Sequence, residues 1–367
     1  MKIGIDTLGC EHSQSGQGAY LLNFISNLPA TEDLTFELFG LEVDRYIYTS
    51  EKPLDYNSVN INDNMKAFRR WHKRPAKKFY KKNKYDAVIY PAVEKVLPVK
   101  FKTKGIAVVN CVVSGVYEKY SRRQRRHLRK GLSRVQTIIA GSEYIRQDLI
   151  NNGVDGKKIF VIHNGINHKL FFPEIGIDTD YVDIKPFAIK RPYFIYGSKL
   201  SDADKKHEQL IKAFSLFKKR TDYPHRLVIC GSEGEYSDIV KEMAFKSESA
   251  SDILITGYFP HESFSKLYAA ATACVFPAVK EGVGLPIIEA MASGIPVLSS
   301  SSGALKEIGG DVPLYFDSDN IDEIADLLQK IVDDEDLYKQ KVSEGLEWSR
   351  HYNWEDTVSQ TLQLIKQ

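Results

Sequence analysis

Residues 281–297 read Glu-Gly-Val-Gly-Leu-Pro-Ile-Ile-Glu-Ala-Met-Ala-Ser-Gly-Ile-Pro-Val, and this stretch decides the fold of the second half of the chain. Apolar runs at 273–277 and 295–298 flank it and predict two buried strands. Between them, Pro286 suits the first turn of a helix and Gly294 suits its end. The resulting strand, loop, helix, strand unit is the repeating element of a parallel α/β sheet.

The glycine turn and the two glutamates of this stretch indicate what it binds. A helix N-terminus behind a glycine turn offers backbone N–H groups and the positive end of the helix dipole, which suit a phosphate or diphosphate. Glu281 on the loop and Glu289 on the helix are acceptors that suit hydroxyl groups. Phosphate beside polyol hydroxyls describes a nucleotide sugar.

Length and composition indicate an ordinary soluble protein. The 367 residues are enough for two domains of about 180 residues each. Hydrophobic residues make up 43% and charged residues 27%, and no apolar run reaches the roughly 18 residues of a membrane span. The start of the chain is too short for a signal peptide, so we expect a cytoplasmic protein. Four cysteines are scattered singly, which predicts reduced, structural thiols: Cys10, Cys111, Cys230 and Cys274.

The net charge of +2 conceals an uneven distribution of charge. Residues 1–175 carry 29 Lys and Arg against 17 Asp and Glu, whereas the remaining residues carry 21 against 31. Much of the basic excess lies in Lys66–Lys84, with ten basic residues and no acid, and in Lys119–Arg134, with eight basic residues. The first of these segments also contains four aromatic residues: Phe68, Trp71, Phe79 and Tyr80.

The two basic segments predict an interaction surface. A Lys or Arg near an anionic membrane contributes about 1 kcal/mol, and aromatic side chains can enter the membrane interface. We therefore expect peripheral contact with an anionic membrane through Lys66–Lys84 and Arg122–Arg134, at the inner face of the cytoplasmic membrane. The alternative is a solvated helix face. Nucleic acid is disfavoured as a partner, because a nucleotide-sugar site is predicted in the same chain.

Apolar strands and amphipathic helices alternate in two blocks. In the first block the predicted strands are 2–7, 34–41, 87–90, 105–109, 137–140 and 159–163, and the predicted helices are 20–28, 67–82, 122–132 and 143–151. In the second block the strands are 193–196, 226–230, 253–256, 273–277 and 296–299, and the helices include 208–219, 262–270, 287–292 and 321–333. This alternation predicts two doubly wound parallel sheets that face each other, with ligands bound in the cleft between them.

The boundaries of these blocks predict the domains. We expect an N-terminal Rossmann-like domain at 1–175, an irregular linker at 176–191 and a C-terminal Rossmann-like domain at 192–350. Residues 351–367 are expected to form a helix that packs back on the N-terminal domain.

With two such domains and the 281–297 segment in the second, the chain resembles the retaining glycosyltransferases of family 4, which have the GT-B fold. The resemblance extends over nearly the whole chain, with its parts in the family's order: Met1–Tyr20, Ile138–Pro173, Tyr193–Phe214, Leu227–Gly231 and Gly257–Phe316. It implies that the N-terminal domain binds the acceptor and that the C-terminal domain binds the nucleotide sugar.

The resemblance also implies roles for individual residues. Glu281 would lie near the donor sugar hydroxyls, and Lys205 would neutralise the leaving diphosphate. Tyr258 would lie against the base or serve only in packing. The positions expected to contact the donor are Gly16, Gln17, Gly18, Gly197, Ser198, Tyr258, Gly282, Gly284, Leu285 and Glu289, with Glu289 at the ribose.

Two positions depart from the family pattern. Where the family often has Arg shortly after a strand-ending glycine, this chain has Ser198 and Lys199 after Gly197. Where the family usually has His-Asp, this chain has Asn110-Cys111, so Asn110 is the expected residue near the reacting sugar. An amide can hydrogen-bond a hydroxyl but cannot carry a positive charge or relay a proton.

The resemblance implies transfer of a hexose, with mannose favoured, from a UDP- or GDP-sugar to a hydroxyl of a glycan or lipid-linked acceptor, with retention of anomeric configuration. Such an enzyme would serve surface polysaccharide or glycolipid synthesis and would need no metal and no cofactor beyond the donor. Asn110 keeps open a second interpretation, a non-catalytic scaffold or accessory subunit of a partner glycosyltransferase. A third is a nucleotide-sugar epimerase of the same fold.

Overall fold

The computed structural model of the protein describes residues 1–30, 33–174 and 179–367, with the side chains of residues 261 and 262 excepted. The contacts divide the chain into two units, Met1–Gly165 with Trp354–Gln367, and Ile166–Asn353. The predicted domain boundary between residues 175 and 176 lies outside the described residues.

The first unit is built on a seven-stranded parallel sheet with the strand order β3-β2-β1-β4-β5-β6-β7. Its strands are β1 Lys2–Asp6, β2 Thr35–Gly40, β3 Asp55–Ser58, β4 Ala87–Tyr90, β5 Lys104–Val109, β6 Thr137–Ala140 and β7 Ile159–Val161. The central strands β4 and β6 are buried along their whole length, as expected of a parallel sheet covered on both faces. The strand order reverses between β1 and β4.

Eight helices of the described residues cover this sheet. They are α1 Gly16–Ser26, α2 Asp44–Thr49, α3 Met65–Lys73, α4 Pro75–Asn83, α5 Val93–Val96, α6 Val113–Lys119, α7 Arg122–Arg134 and α8 Glu143–Asn151. Side-chain caps explain several of their starts. Ser15 caps α1, Asn64 caps α3, and Ser121 with Gln124 forms a capping box on α7.

The single helix predicted at 67–82 is two helices, α3 and α4. The break lies at Pro75, which cannot continue a helix but suits the first position of the next one. The aromatic residues of this segment also differ from the expectation. Phe68, Trp71 and Tyr80 are 5%, 6% and 5% exposed, and Trp71 packs on Phe39 with 5.7 Å between ring centroids. They belong to the core, whereas most basic side chains of the segment are exposed.

The second unit is built on a six-stranded parallel sheet with the order β12-β11-β10-β13-β14-β15. A two-stranded antiparallel hairpin, β8 Tyr181–Ile184 and β9 Phe187–Lys190, precedes it. The strands of the sheet are β10 Tyr193–Gly197, β11 Arg226–Cys230, β12 Ile253–Gly257, β13 Ala273–Phe276, β14 Val297–Ser300 and β15 Leu314–Phe316. The strand order of this sheet reverses between β10 and β13. The hairpin occupies part of the segment predicted to be an irregular linker, because Val182 and Ile184 alternate with exposed residues and are buried.

The remaining helices are α9 His207–Arg220, α10 Ser237–Lys246, α11 His261–Ala269, α12 Leu285–Ala292, α13 Leu305–Gly309, α14 Ile321–Asp333, α15 Glu335–Ser349 and α16 Trp354–Lys366. Helix α16 belongs to the first unit, where the Trp354 ring meets Tyr20 edge-on at 5.4 Å. The predicted pair of doubly wound parallel sheets is therefore confirmed. Within the three described ranges, no helix is long and apolar enough to cross a membrane.

Candidate active site

The loop from β13 to α12 is held in a defined shape at the N-terminus of α12. Gly284 caps this helix with a φ of +68°, a conformation that favours glycine. Gly303 has a φ of +62°, and a Cβ atom there would lie 2.5 Å from the Glu281 carbonyl oxygen. The Ala304 N–H donates to that oxygen at 2.9 Å. The main chain at Glu281 is thus fixed by the turn that follows β14.

The side chains of Glu281 and Lys205 meet at this loop. Lys205 Nζ lies 3.0 Å from Glu281 Oε2, and the two side chains are 21% and 18% exposed. Glu281 Oε1 also accepts long hydrogen bonds from the N–H groups of Val283 and Gly284, at 3.4 and 3.3 Å. Burial opposes ionisation, but the Lys205 ammonium and the two N–H groups prevail and lower the pKa of Glu281. The Glu281 carboxylate likewise raises the pKa of Lys205 despite burial.

The local fold explains why Lys205 reaches the loop. A short 3₁₀ turn, Ala203–Lys205, follows β10, and the Tyr196 hydroxyl donates to the Lys205 carbonyl at 2.8 Å. The next residue, Lys206, has a φ of +54°, so the chain reverses there and enters α9. The structure therefore brings together two sequence-predicted residues, Lys205 and Glu281, that are 76 positions apart.

Other predicted donor residues lie at the same edge of the second sheet. Gly197 ends β10, and the Ser198 N–H donates to the Cys230 carbonyl at 2.8 Å. Glu289 lies on α12 and is 8% exposed. Tyr258 is 57% exposed, which argues against the packing role considered for it. Strands β10 and β13, whose ends carry Gly197 and the Glu281 loop, flank the point where the strand order reverses, and doubly wound sheets bind ligands there.

In the first unit, three residues expected to contact the donor, Gly16, Gln17 and Gly18, form the first turn of α1. Helix α1 begins at Gly16, and its cap Ser15 accepts from the Gly18 N–H at 3.2 Å. A Cβ atom at Gly16 would meet nothing within 4 Å, whereas one at Gly18 would overlap the Cys10 carbonyl. Gly16 thus leaves open space at a helix N-terminus, which suits an anion, and Gly18 permits close packing of the preceding loop.

The loop before α1 contains a strained turn. Glu11, His12 and Ser13 have φ values of 50°, 52° and 66°, which residues with side chains rarely adopt. His12 Nδ1 lies 2.7 Å from Asp44 and Nε2 lies 3.1 Å from Asp63. The hydrogen bond with Asp44 is the largest cause of a raised pKa at His12. The His12 ring thereby ties the turn to two carboxyl groups.

Asn110 follows the end of β5, as predicted. Its Oδ1 atom is buried and accepts no hydrogen bond from any described residue. The neighbouring Cys111 is half-buried, and desolvation raises the pKa of its thiol. Cys10, Cys230 and Cys274 are fully buried free thiols.

Sequence reasoning missed three residues. His12 and Gly303 support the loops described above, and the charge of Glu94 acts on Cys111. A lone His in a polar loop and a single Gly after a strand carry no pattern of their own. Glu94 lies in α5, a helix of four residues that is too short to show helical periodicity. Across the described part of the chain, no three His, Cys, Asp or Glu side chains group as metal ligands would. The absence of a metal from the reaction stays a prediction.

Two protein families together match most of the chain. Residues 15–170 match the family described as Glycosyltransferase Family 4, and residues 179–348 match Glycosyl transferases group 1. Among curated proteins, the chain is 25% identical over 255 residues to O-antigen chain mannosyltransferase B of Escherichia coli. The aligned region covers 67% of this chain and 64% of that protein. It is 28% identical to the serotype-specific mannosyltransferase WbdA of Escherichia coli over 45% of this chain and 20% of that protein. The chain thus spans less than two thirds of either relative.

Solved structures share the fold. Sucrose-phosphate synthase from Thermosynechococcus elongatus superposes with a TM-score of 0.78 at 18% identity, over 100% of this chain and 98% of the other. Anabaena Alr3699/HepE in complex with UDP and glucose superposes with a TM-score of 0.76 at 15% identity, over 100% and 99%. At such low identity these likenesses show the fold alone, which is GT-B.

Proposed function

Because this chain belongs to the group 1 glycosyltransferases of family 4, we propose that it transfers a hexose from a nucleoside diphosphate sugar to an acceptor hydroxyl with retention of configuration. The observation that carries the proposal is the Lys205–Glu281 pair at the N-terminus of α12. A cation, helix N–H groups and a carboxylate at one point can bind a diphosphate and a sugar hydroxyl together.

The proposed chemistry is electrostatic. The bond from the sugar C1 to the diphosphate oxygen breaks, the bond from C1 to the acceptor oxygen forms, and the acceptor proton passes to the leaving diphosphate on the same face. Lys205 and the N–H groups at Gly284 would hold the negative charge that develops on the leaving group. Glu281, once released from Lys205, would accept hydrogen bonds from the donor sugar.

The names of the relatives support the proposed classes of donor and acceptor. Mannose is the proposed sugar because the two Escherichia coli relatives are named as mannosyltransferases. The base is open between guanine and uracil, since UDP is bound in the HepE neighbour. The proposed acceptor is a glycan or a lipid-linked glycan of surface polysaccharide synthesis, and the exposed basic helices would hold the enzyme at an anionic membrane.

A panel of UDP- and GDP-sugars, scored for nucleotide release with and without an oligomannoside acceptor, tests the proposal. We expect release with one donor that depends on the acceptor. Glu281→Ala and Lys205→Met should each lower kcat by about 10²-fold, the usual effect of removing a group that stabilises transition-state charge. Glu347→Ala, which removes an exposed glutamate of the same unit, is the matched control and should keep full activity.

A second candidate function is a non-catalytic subunit that supports a partner glycosyltransferase, which Asn110 in place of the family's histidine favours. The same panel separates the two. No nucleotide release with any donor, or unchanged cellular function after Glu281→Ala, would favour the scaffold.

A further inference from the structure

A carboxyl group that the proposed function does not use lies at the carboxyl edge of the first sheet. Glu94 is the second residue of α5, which begins three residues after β4 ends. Strand β4 lies between β1 and β5, and the strand order reverses between β1 and β4. Glu94 therefore lies where a doubly wound sheet offers its binding crevice.

The main chain around Glu94 is fastened from both sides. Lys95 Nζ donates to the Gly9 carbonyl at 3.1 Å and pairs with Glu11 at 2.8 Å, which ties α5 to the loop after β1. The Tyr120 hydroxyl donates to the Glu94 carbonyl at 2.5 Å, which ties it to the chain that follows β5 and α6. The fold thus holds Glu94 in place by its neighbours and its backbone.

Few contacts stabilise the charge of the Glu94 carboxyl group. Its hydrogen bonding is limited, within the described ranges, to its own backbone N–H, and burial raises its pKa to about 7. Lys95 offsets this rise only in part, and Glu11 adds to it. The thiols of Cys10 and Cys111 feel the Glu94 charge, and burial raises the pKa of both, so they stay neutral beside it. The side chain of Glu94 is half-buried, so a ligand can reach it, and a carboxyl group with a raised pKa in a binding crevice is often functional.

Asn110 supplies a buried acceptor without a donor at the same edge. Its buried Oδ1 accepts no hydrogen bond from the described residues, and the next residue, Cys111, is one of the thiols that Glu94 influences. A buried acceptor is normally satisfied, so the unsatisfied Oδ1 of Asn110, at the same edge as the half-buried Glu94 carboxyl group, indicates a ligand that brings donors. Hydroxyl groups of a sugar meet this requirement, whereas a phosphate, which is an anion at neutral pH, would be repelled by the Glu94 carboxylate.

We propose that Glu94 is an acceptor-binding residue and that, with Asn110, it accepts hydrogen bonds from the hydroxyl groups of the acceptor sugar. This inference rests on the proposed hexosyl transfer and adds to it the residue that holds the acceptor. The ionised carboxylate is the better hydrogen-bond acceptor, so acceptor binding strengthens as the pH rises and Glu94 loses its proton.

The test compares wild type, Glu94→Gln and Glu118→Gln in transfer from GDP-mannose to a labelled oligomannoside at pH 6 and pH 8. Glu118 is an exposed acid at the end of α6 and serves as the matched control. We expect kcat/KM for the acceptor to rise about tenfold from pH 6 to pH 8 in the wild type and in Glu118→Gln. The reason is that the ionised fraction of a group with a pKa of about 7 rises about tenfold over this range. Glu94→Gln should be flat and about tenfold below wild type at pH 8.

Other ionisable groups near Glu94 do not produce this pattern. Lys95 and Glu11 face it from α5 and the loop after β1, and Tyr120 faces it from the end of α6, close to Arg69. All four are unchanged in Glu94→Gln, so any pH dependence that they cause would remain in this variant. KM for GDP-mannose should be equal in the three proteins.

The oligomannoside alone provides a second readout, by saturation-transfer NMR at both pH values without donor. If the wild type transfers nothing from any donor, the proposed hexosyl transfer is wrong. The NMR signal still tests whether Glu94 binds the acceptor. Loss of the pH-dependent signal in Glu94→Gln alone supports the inference. An equal pH ratio in wild type and Glu94→Gln, in transfer or in NMR, overturns it.

Discussion

At the scale of single residues, the Lys205 ammonium group and two backbone N–H groups already bind one anion, which is the Glu281 carboxylate. The Glu281 carboxylate lies at 3.0 Å from Lys205 Nζ and accepts from the N–H groups of Val283 and Gly284. The ammonium group and these N–H groups are the hydrogen-bond donors that we propose for the diphosphate. The backbone of Glu281 is fixed by the Ala304 N–H, so only its side chain can move. Binding of the proposed nucleotide sugar would then replace one anion by another and would free the carboxylate for the sugar.

This exchange predicts that Glu281→Gln binds free nucleoside diphosphate more tightly than wild type while its transfer activity falls. A partly exposed ion pair contributes up to about 1 kcal/mol, so the gain should be about fivefold in Kd. Lys205→Met should weaken the binding of the same nucleotide. Isothermal titration calorimetry with GDP and UDP measures both effects, with Glu347→Gln as the matched control. Weaker nucleotide binding by Glu281→Gln would show that its carboxylate does not compete with the ligand.

At the scale of elements, the left-handed turn Glu11–Ser13 depends on side chains from two other segments. His12 contacts Asp44 of α2 and Asp63 of the loop before α3, and the Tyr48 hydroxyl accepts from the Ser13 N–H at 3.1 Å. Three consecutive residues at positive φ cost energy that these contacts offset. The turn packs on Gly18 and so holds the loop that leads into the N-terminus of α1.

The clamp on His12 predicts a pH-dependent stability of the first unit. The folded state raises the pKa of His12, chiefly through Asp44, so the charged imidazole stabilises the fold below its ordinary pKa. This contribution is lost as the pH rises through the raised value. His12→Gln should therefore lower the free energy of unfolding by about 0.5 kcal/mol at pH 6, a value that allows for solvent screening, and by less at pH 9. Urea unfolding measures it, with the exposed His351→Gln as control. An equal loss at both pH values would mean that the charge of His12 is not involved.

The elements also show what a sequence can reveal. The β13–α12–β14 unit was predictable because long apolar runs, a helix-starting proline and helix-ending glycine all agree. Strand β3 was not, because its sequence Asp-Tyr-Asn-Ser is polar and its pairing with β2 alone makes it a strand. Helix α5 has four residues, and so short a helix forms only by tertiary packing, which is why Glu94 escaped notice. The Lys205–Glu281 contact needed the resemblance to a family, since no local pattern joins residues so far apart.

At the scale of the whole molecule, the two blocks of sequence carry opposite charge. The surplus of 12 positive charges up to residue 175 stands against a deficit of 10 in the remainder. Burial of Phe68, Trp71 and Tyr80 removes these aromatic side chains from the basic surface. Attraction of this surface to a membrane would therefore be electrostatic, without insertion of these aromatic rings, and should require anionic lipid and fall steeply with salt.

Helix α7 provides the sharpest test of that attraction. Arg122, Arg123 and Arg126 are exposed, and replacing all three by Gln should weaken binding to phosphatidylglycerol vesicles by about 10²-fold, since each charge contributes about 1 kcal/mol. Vesicle sedimentation measures this effect. A variant with Gln at three exposed lysines of the second unit, Lys219, Lys246 and Lys339, is the matched control and should bind as wild type does. Phosphatidylcholine vesicles should bind none of these proteins. Equal binding of the wild type to neutral and anionic vesicles would contradict an electrostatic attachment, because the charges of α7 can distinguish the two lipids whereas apolar contacts cannot.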